Sequence, residues 1–91
     1  MKQTRMRIII EGRLQGSNFR YQTQQEAQKL EVIGFVRNLA DGRIEIELQG
    51  SEGNVAEMFA WCQQGPLSTL IKKILYRYDE PVDRYSDFSA R

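Results

Sequence analysis

Asn38-Leu39-Ala40-Asp41-Gly42-Arg43-Ile44-Glu45-Ile46-Glu47-Leu48-Gln49-Gly50-Ser51 holds a turn, a strand and a helix start in one run. Asp41-Gly42 sits between two apolar stretches, a strong hairpin signal. Ile44, Ile46 and Leu48 then alternate with Arg43, Glu45, Glu47 and Gln49. This predicts a strand with its aliphatic side inward and its polar side outward. Gly50 ends the alternation, and Ser51 is suited to cap a helix.

Working upstream, a short strand is expected around Gly34–Arg37. Before it, Thr23, Ala27 and Leu30 stand at i, i+4 and i+7, the stripe of an amphipathic helix running from about Phe19 to Glu31. Earlier still, Met6, Ile8, Ile10 and Leu14 share one parity and predict a first strand, with Ile9 on its other side. Downstream of Ser51, Val55, Met58, Phe59 and Cys62 complete the stripe of a second helix, which Gly65-Pro66 stops. A fourth strand covers about Leu70–Asp79; Ile71 and Ile74 both face inward only around a bulge at Lys72-Lys73. Pro81 closes that segment, and Tyr85–Arg91 offers Phe88 and Ala90 on one face of a last strand. The order β-α-β-β-α-β plus a strand predicts an α+β, ferredoxin-like double split βαβ sandwich, with two helices on one face of an antiparallel sheet. That scaffold hosts many functions, so fold alone names none.

Residues 1–91 are enough for one domain and too few for two independent cores. A net charge of +1 argues against a broad surface for nucleic acid or anionic lipid. The chain has no histidine, so Ser-His and Cys-His nucleophile pairs are excluded. One cysteine without histidine also excludes a zinc site of the usual thiolate and imidazole ligands within one chain. Cys62 lies on the buried helix stripe and reads as a core filler; with no second cysteine to pair, it fits a reducing, cytoplasmic compartment. Met1–Arg7 is basic, but Ile8–Ile10 is too short an apolar run for a signal peptide, and no segment reaches membrane-spanning length. Tyr76 and Tyr78 share a strand parity, as base-stacking aromatics do on RNA-binding sheets. The matching RNP1-like pattern is missing, so sheet packing is the better reading.

The chemistry concentrates between the first strand and the first helix, at Gly12-Arg13-Leu14-Gln15-Gly16-Ser17-Asn18-Phe19-Arg20. Helix starts leave N–H groups unpaired and carry partial positive charge, which favours an anion. Acidic residues are the usual occupants of a first helical turn. Here the first one is Glu26, and Arg20 takes the turn instead. A guanidinium suits phosphate, and an anion between it and the helix start would relieve the repulsion. A solvated arginine with Ser17 or Asn18 as an ordinary cap accounts for the same spacing equally well.

Gly12-x-Leu14-Gln15-Gly16-x-x-Phe19-Arg20 resembles the first acylphosphatase signature, and Gly34-Phe35-Val36-Arg37-Asn38-x-x-x-Gly42 resembles the second. The two stand at the family's separation, and the resemblance continues through Gln49-Gly50, Gly65-Pro66 and Phe88-x-x-Arg91. It implies hydrolysis of acyl phosphates without metal or cofactor. By that resemblance the phosphoryl group is held by Arg20 and by the backbone N–H groups of Gln15, Gly16, Ser17, Asn18 and Phe19. Asn38 would orient the attacking water. The implied partners are a small acyl phosphate and inorganic phosphate, as product and inhibitor, with a monomeric chain and no nucleic-acid or membrane partner. Ser17 stands where the family usually has valine, Leu14 replaces another valine, and Ala90 is smaller than the usual residue. Ser17 and Asn18 can cap the helix through the donors that phosphate would use. The alternative is therefore a catalytically weak or inactive phosphate-binding regulatory domain of the same fold.

Overall fold

Two aliphatic strands meet at the centre of the molecule, β1 (Gln3–Gly12) and β3 (Ile44–Ser51), paired antiparallel with Ile8 opposite Ile46 and Ile10 opposite Ile44. The computed structural model describes residues 2–91; Met1, which opens the basic N-terminal stretch, lies outside them. β2 (Ile33–Asn38) flanks β3, and β4 (Ile71–Asp79) flanks β1, both antiparallel. β5 (Phe88–Ala90) adds to the far side of β2 and runs parallel to it, giving the order β4-β1-β3-β2-β5. The four-stranded unit is antiparallel as the sequence predicts, and the terminal strand makes the whole sheet mixed. Its extent is shorter than the Tyr85–Arg91 expected.

The helices α1 (Phe19–Lys29) and α2 (Glu52–Gln64) cross one face, α1 over β2 and β5, α2 over β1 and β3. Ala27 of α1 and Val55, Met58 and Cys62 of α2 belong to one core with Met6, Ile8, Ile46 and Leu48 of the sheet, and Thr23 of α1 is fully buried. Each such aliphatic side chain contributes about 1.5–3 kcal/mol relative to exposure. Thr23 keeps its place on the stripe because its hydroxyl donates to the Phe19 carbonyl at 2.7 Å. Burial pushes the Cys62 thiol up to about 12, which leaves an inert core side chain. The expected irregularity at Lys72-Lys73 is present: pairing with β1 steps from Glu11–Lys73 to Gly12–Ile71, and Ile71 and Ile74 both pack against the core. No helix among the described residues is long and apolar enough to cross a membrane.

The polar side of β3 departs from its pattern. Glu45, Glu47 and Gln49 point away from the helices as predicted, yet all three are buried, Glu47 with only 3% exposure. Arginines and the chain after β4 cover them. Arg5 Nη1 lies 3.0 Å from Glu47 Oε1, and Arg37 Nε lies 2.6 Å from Glu45 Oε1. Arg7 Nε, 3.1 Å from Glu47 Oε2, is an ion pair without the alignment of a hydrogen bond. The Gln49 amide grips Val82 at both ends, donating to its carbonyl at 2.8 Å and accepting from its N–H at 2.9 Å. Burial pushes the Glu47 carboxyl up, but the Tyr85 hydroxyl, the Arg5 hydrogen bond and the Arg5 and Arg7 charges outweigh it and hold it below the usual carboxylate range.

Candidate active site

The turn between β1 and α1 is fixed from below by a close approach. A Cβ on Gly12 would lie 2.2 Å from the Leu70 carbonyl oxygen, the same oxygen that accepts the Arg13 N–H at 3.0 Å. From there the chain buries Leu14 and rises into an exposed turn, Gln15–Asn18. Gly16 adopts φ +84°, a left-handed conformation that strains any side-chain-bearing residue, although a Cβ there would meet nothing. Phe19, 2% exposed, ends the turn and stacks on Trp61 of α2 with ring centroids 6.0 Å apart. This stacking anchors the first residue of α1 and gives Trp61, off the apolar stripe of its own helix, a defined role.

The turn's N–H groups divide into two sets. The Ser17 N–H donates to the Leu14 carbonyl at 3.1 Å, and the Phe19 N–H donates to Ser17 Oγ at 3.3 Å. Ser17 Oγ itself donates to the Leu14 carbonyl. Among the described residues, the N–H groups of Gln15, Gly16 and Asn18 have no partner. Asn18 occupies the cap position but makes no side-chain cap bond, and the first turn of α1 has no acidic residue. Of the two capping candidates in the sequence, Ser17 therefore engages a helix-start donor and Asn18 does not.

Arg20 is exposed and tethered: its Nη1 donates to the backbone oxygen of Arg91 at 2.5 Å. Arg91 is held in turn by its N–H on the Val36 carbonyl at 2.8 Å and by its guanidinium, 4.2 Å from the centroid of the Phe35 ring. A guanidinium has five N–H donors, so one tether orients it and leaves the others available. Asn38 is exposed at the end of β2, opposite Ile44. The Gln15 side chain reaches its neighbour, donating to the Leu39 carbonyl at 3.2 Å and to that of Arg43 at 3.4 Å. The β2–β3 turn is also closed internally, with the Leu39 N–H on the Arg43 carbonyl at 2.7 Å.

Gln15, Gly16, Ser17, Asn18 and Arg20 thus form one exposed corner, with the buried Phe19 ring anchoring it from below. Gln15 ties it to the turn beside Asn38, and Arg20 ties it through Arg91 to β2. Sequence reading missed three contributors: the Gln15 side chain, the Arg91 backbone and Trp61. Their partners lie 24, 71 and 42 positions away, beyond any local pattern. The corner is chemically suited to an anion, with free N–H donors, a helix start and a positioned guanidinium, and water reaches it freely.

Comparison with known proteins identifies the family and the fold. The family described as Acylphosphatase matches residues 6–90. An acylphosphatase of Chloroflexus aurantiacus is 34% identical over 89 residues, covering 98% of this chain and 97% of that protein. One from Trichormus variabilis is 40% identical over 77 residues, 85% of this chain and 76% of that protein. The crystal structure of acylphosphatase from Bacillus subtilis superimposes with a TM-score of 0.88 at 34% identity, covering 97% of this chain and 98% of that one. With the family matched over nearly its whole length and the fold shared, this chain belongs to the acylphosphatase family.

Proposed function

We propose that the chain hydrolyses acyl phosphates to carboxylate and inorganic phosphate at the corner formed by Gln15–Arg20 and Asn38. The acyl phosphate reaction follows from family membership. The assignment of roles rests on one observation: the start of α1 leaves N–H donors without partners beside a tethered arginine. In this reading the N–H groups of Gln15, Gly16 and Asn18 and the guanidinium of Arg20 hold the phosphoryl oxygens. Those of Ser17 and Phe19 join once their local bonds open. Asn38 orients water for attack on phosphorus, and the carboxylate departs as the P–O bond breaks. An acyl phosphate already has a good leaving group, so positioning and charge stabilisation carry the reaction. A chain without histidine is adequate for such chemistry.

Inorganic phosphate, as product, competes for the same donors and inhibits. Each copy of the chain holds the whole set of proposed groups. A cytoplasmic location accords with the free, buried Cys62. Ser17 favours a second reading, because its hydroxyl occupies the Phe19 N–H: a phosphate-binding domain with little turnover. Benzoyl phosphate hydrolysis with and without chelator, alongside phosphate titration, separates the two. Turnover insensitive to chelator and competitively inhibited by phosphate is expected. Phosphate binding without turnover would select the regulatory reading, and activity restored only by a divalent ion would overturn the mechanism.

A further inference from the structure

Ile9 is the one aliphatic residue of β1 that shares the open face of the sheet with Glu45 and Glu47, away from the helices. It stands opposite Leu75 of β4, which is 51% exposed, and the next pair on that face is Arg7 opposite Arg77. Like charges directly opposite on neighbouring strands repel. These four side chains, with Tyr76, line a hollow of about 250 Å³. It is apolar at one end and cationic at the other.

The carboxylates around the hollow are already shared. On this face Glu45, Glu47 and Asp79 serve Arg5, Arg7, Arg37, Arg77 and Arg84. Glu47 Oε1 alone lies 3.0 Å from Arg5 and 3.5 Å from Arg84. Arg77 has the weakest share: its Nη2 is 3.8 Å from Asp79 Oδ2, the same oxygen that lies 3.3 Å from Arg5 Nη2. Among the described residues the Arg77 guanidinium makes no hydrogen bond, and Arg7 Nε is buried without one. Further along, Lys73 stands opposite Glu11 and balances it. Glu80, Asp83 and Asp87, on the chain after β4, form no ion pair with these arginines among the described residues. The face therefore carries more positive charge than its carboxylates offset, in a chain whose net charge is only +1. An arginine fork left this open suits a carboxylate, and the apolar step beside it suits a carbon chain attached to that carboxylate.

We propose that this hollow is a second ligand site, separate from the Gln15–Arg20 corner, for a small amphipathic carboxylate. Arg7 and Arg77 hold the carboxylate, and Ile9 and Leu75 hold its carbon chain. The site stands on its own, whether or not the corner turns over acyl phosphates. Octanoate, titrated to millimolar concentration into the isotope-labelled full chain and followed by amide chemical shifts, tests it. Saturable shifts centred on Arg7–Ile9 and Leu75–Arg77 are expected. Acetate, which lacks the chain, and octylammonium, which reverses the charge, should each bind about ten-fold more weakly or worse. Leu75→Ser should weaken octanoate binding about ten-fold and Arg77→Gln about five-fold, with Arg77→Lys recovering part of that loss. Both side chains are more than half exposed, so melting temperatures without octanoate should match wild type. Arg20→Ala should bind octanoate as wild type does. Absence of saturable shifts overturns the proposal, as does octylammonium binding as tightly as octanoate. So do shifts confined to Gln15–Arg20 or lost in Arg20→Ala, and so does binding indifferent to Leu75→Ser and Arg77→Gln.

Discussion

Ser51, at the start of α2, accepts the Asn54 N–H on its hydroxyl at 3.2 Å, and Glu52 follows in the first turn. Asn18, at the start of α1, makes no such bond, and the residue that follows Phe19 is Arg20. The first arrangement satisfies the helix from within, by a cap and a favourable charge. The second leaves donors unpaired and puts a cation where the helix dipole disfavours it. Packing does not account for the difference, since both helices lie on the same face of one sheet. The start of α1 leaves donors open to an anion, and that of α2 is satisfied without one.

The largest expected break in this contrast is Arg20→Ala. Turnover should fall by about three powers of ten or more, as loss of a principal transition-state contact does. Phosphate binding should weaken with it. The melting temperature should change little, because removing a cation from a helix start offsets loss of the Arg91 tether. If the variant unfolds, Arg20 is structural and the site assignment fails.

Asn38→Ala should lower kcat by about two to three powers of ten while leaving phosphate affinity nearly intact. Calorimetric titration beside steady-state kinetics checks the split. An equal loss of phosphate binding would move Asn38 from the water to the phosphate ligands.

At the other helix, Ser51→Ala should cost about 1 kcal/mol of stability, a fall in melting temperature of about 4–8 °C for a domain this size. Activity of the folded protein should be unaffected. A loss of turnover at a temperature where the variant is fully folded would show that the two helix starts are not independent.

The smallest effect sharpens the contrast at Ser17. Ser17→Val frees the Phe19 N–H and should tighten phosphate binding by a few-fold, since an N-cap bond is worth about 1 kcal/mol and tenfold affinity about 1.4 kcal/mol. Asn18→Gly, which removes a side chain that caps nothing, should leave affinity unchanged. Unchanged or weaker binding in Ser17→Val would mean that the hydroxyl is itself neutral or a phosphate ligand.

Much of this architecture was legible in the sequence. Period-two alternation in Ile44–Ser51 and the helical stripe of Val55, Met58 and Cys62 are local consequences of backbone geometry, so they survive without tertiary information. The bulge at Lys72-Lys73 was legible because Ile71 and Ile74 both needed burial on one face. The burial of Glu45, Glu47 and Gln49 was not. Alternation reports which side of a strand a residue takes, and only a distant segment decides whether that side meets water. The direction of β5 was equally hidden, since three residues carry no signal for parallel or antiparallel pairing.

By itself the sequence determined the order of elements, the turn at Gly16, the placement of Arg20 in a first helical turn and of Asn38 at a strand end. These depend on residues adjacent in the chain or one helical turn apart. Only the tertiary structure decided that Gln15 would grip the turn beside Asn38 and that Arg91 would hold the Arg20 guanidinium. It also decided that Ser17 rather than Asn18 would take a helix-start donor. The first two are hydrogen bonds between groups far apart in the chain, and their geometry exists only once the sheet has brought those groups to one corner. The third turns on side-chain and backbone angles within one turn, where both residue types are equally able to cap and the local geometry selects one.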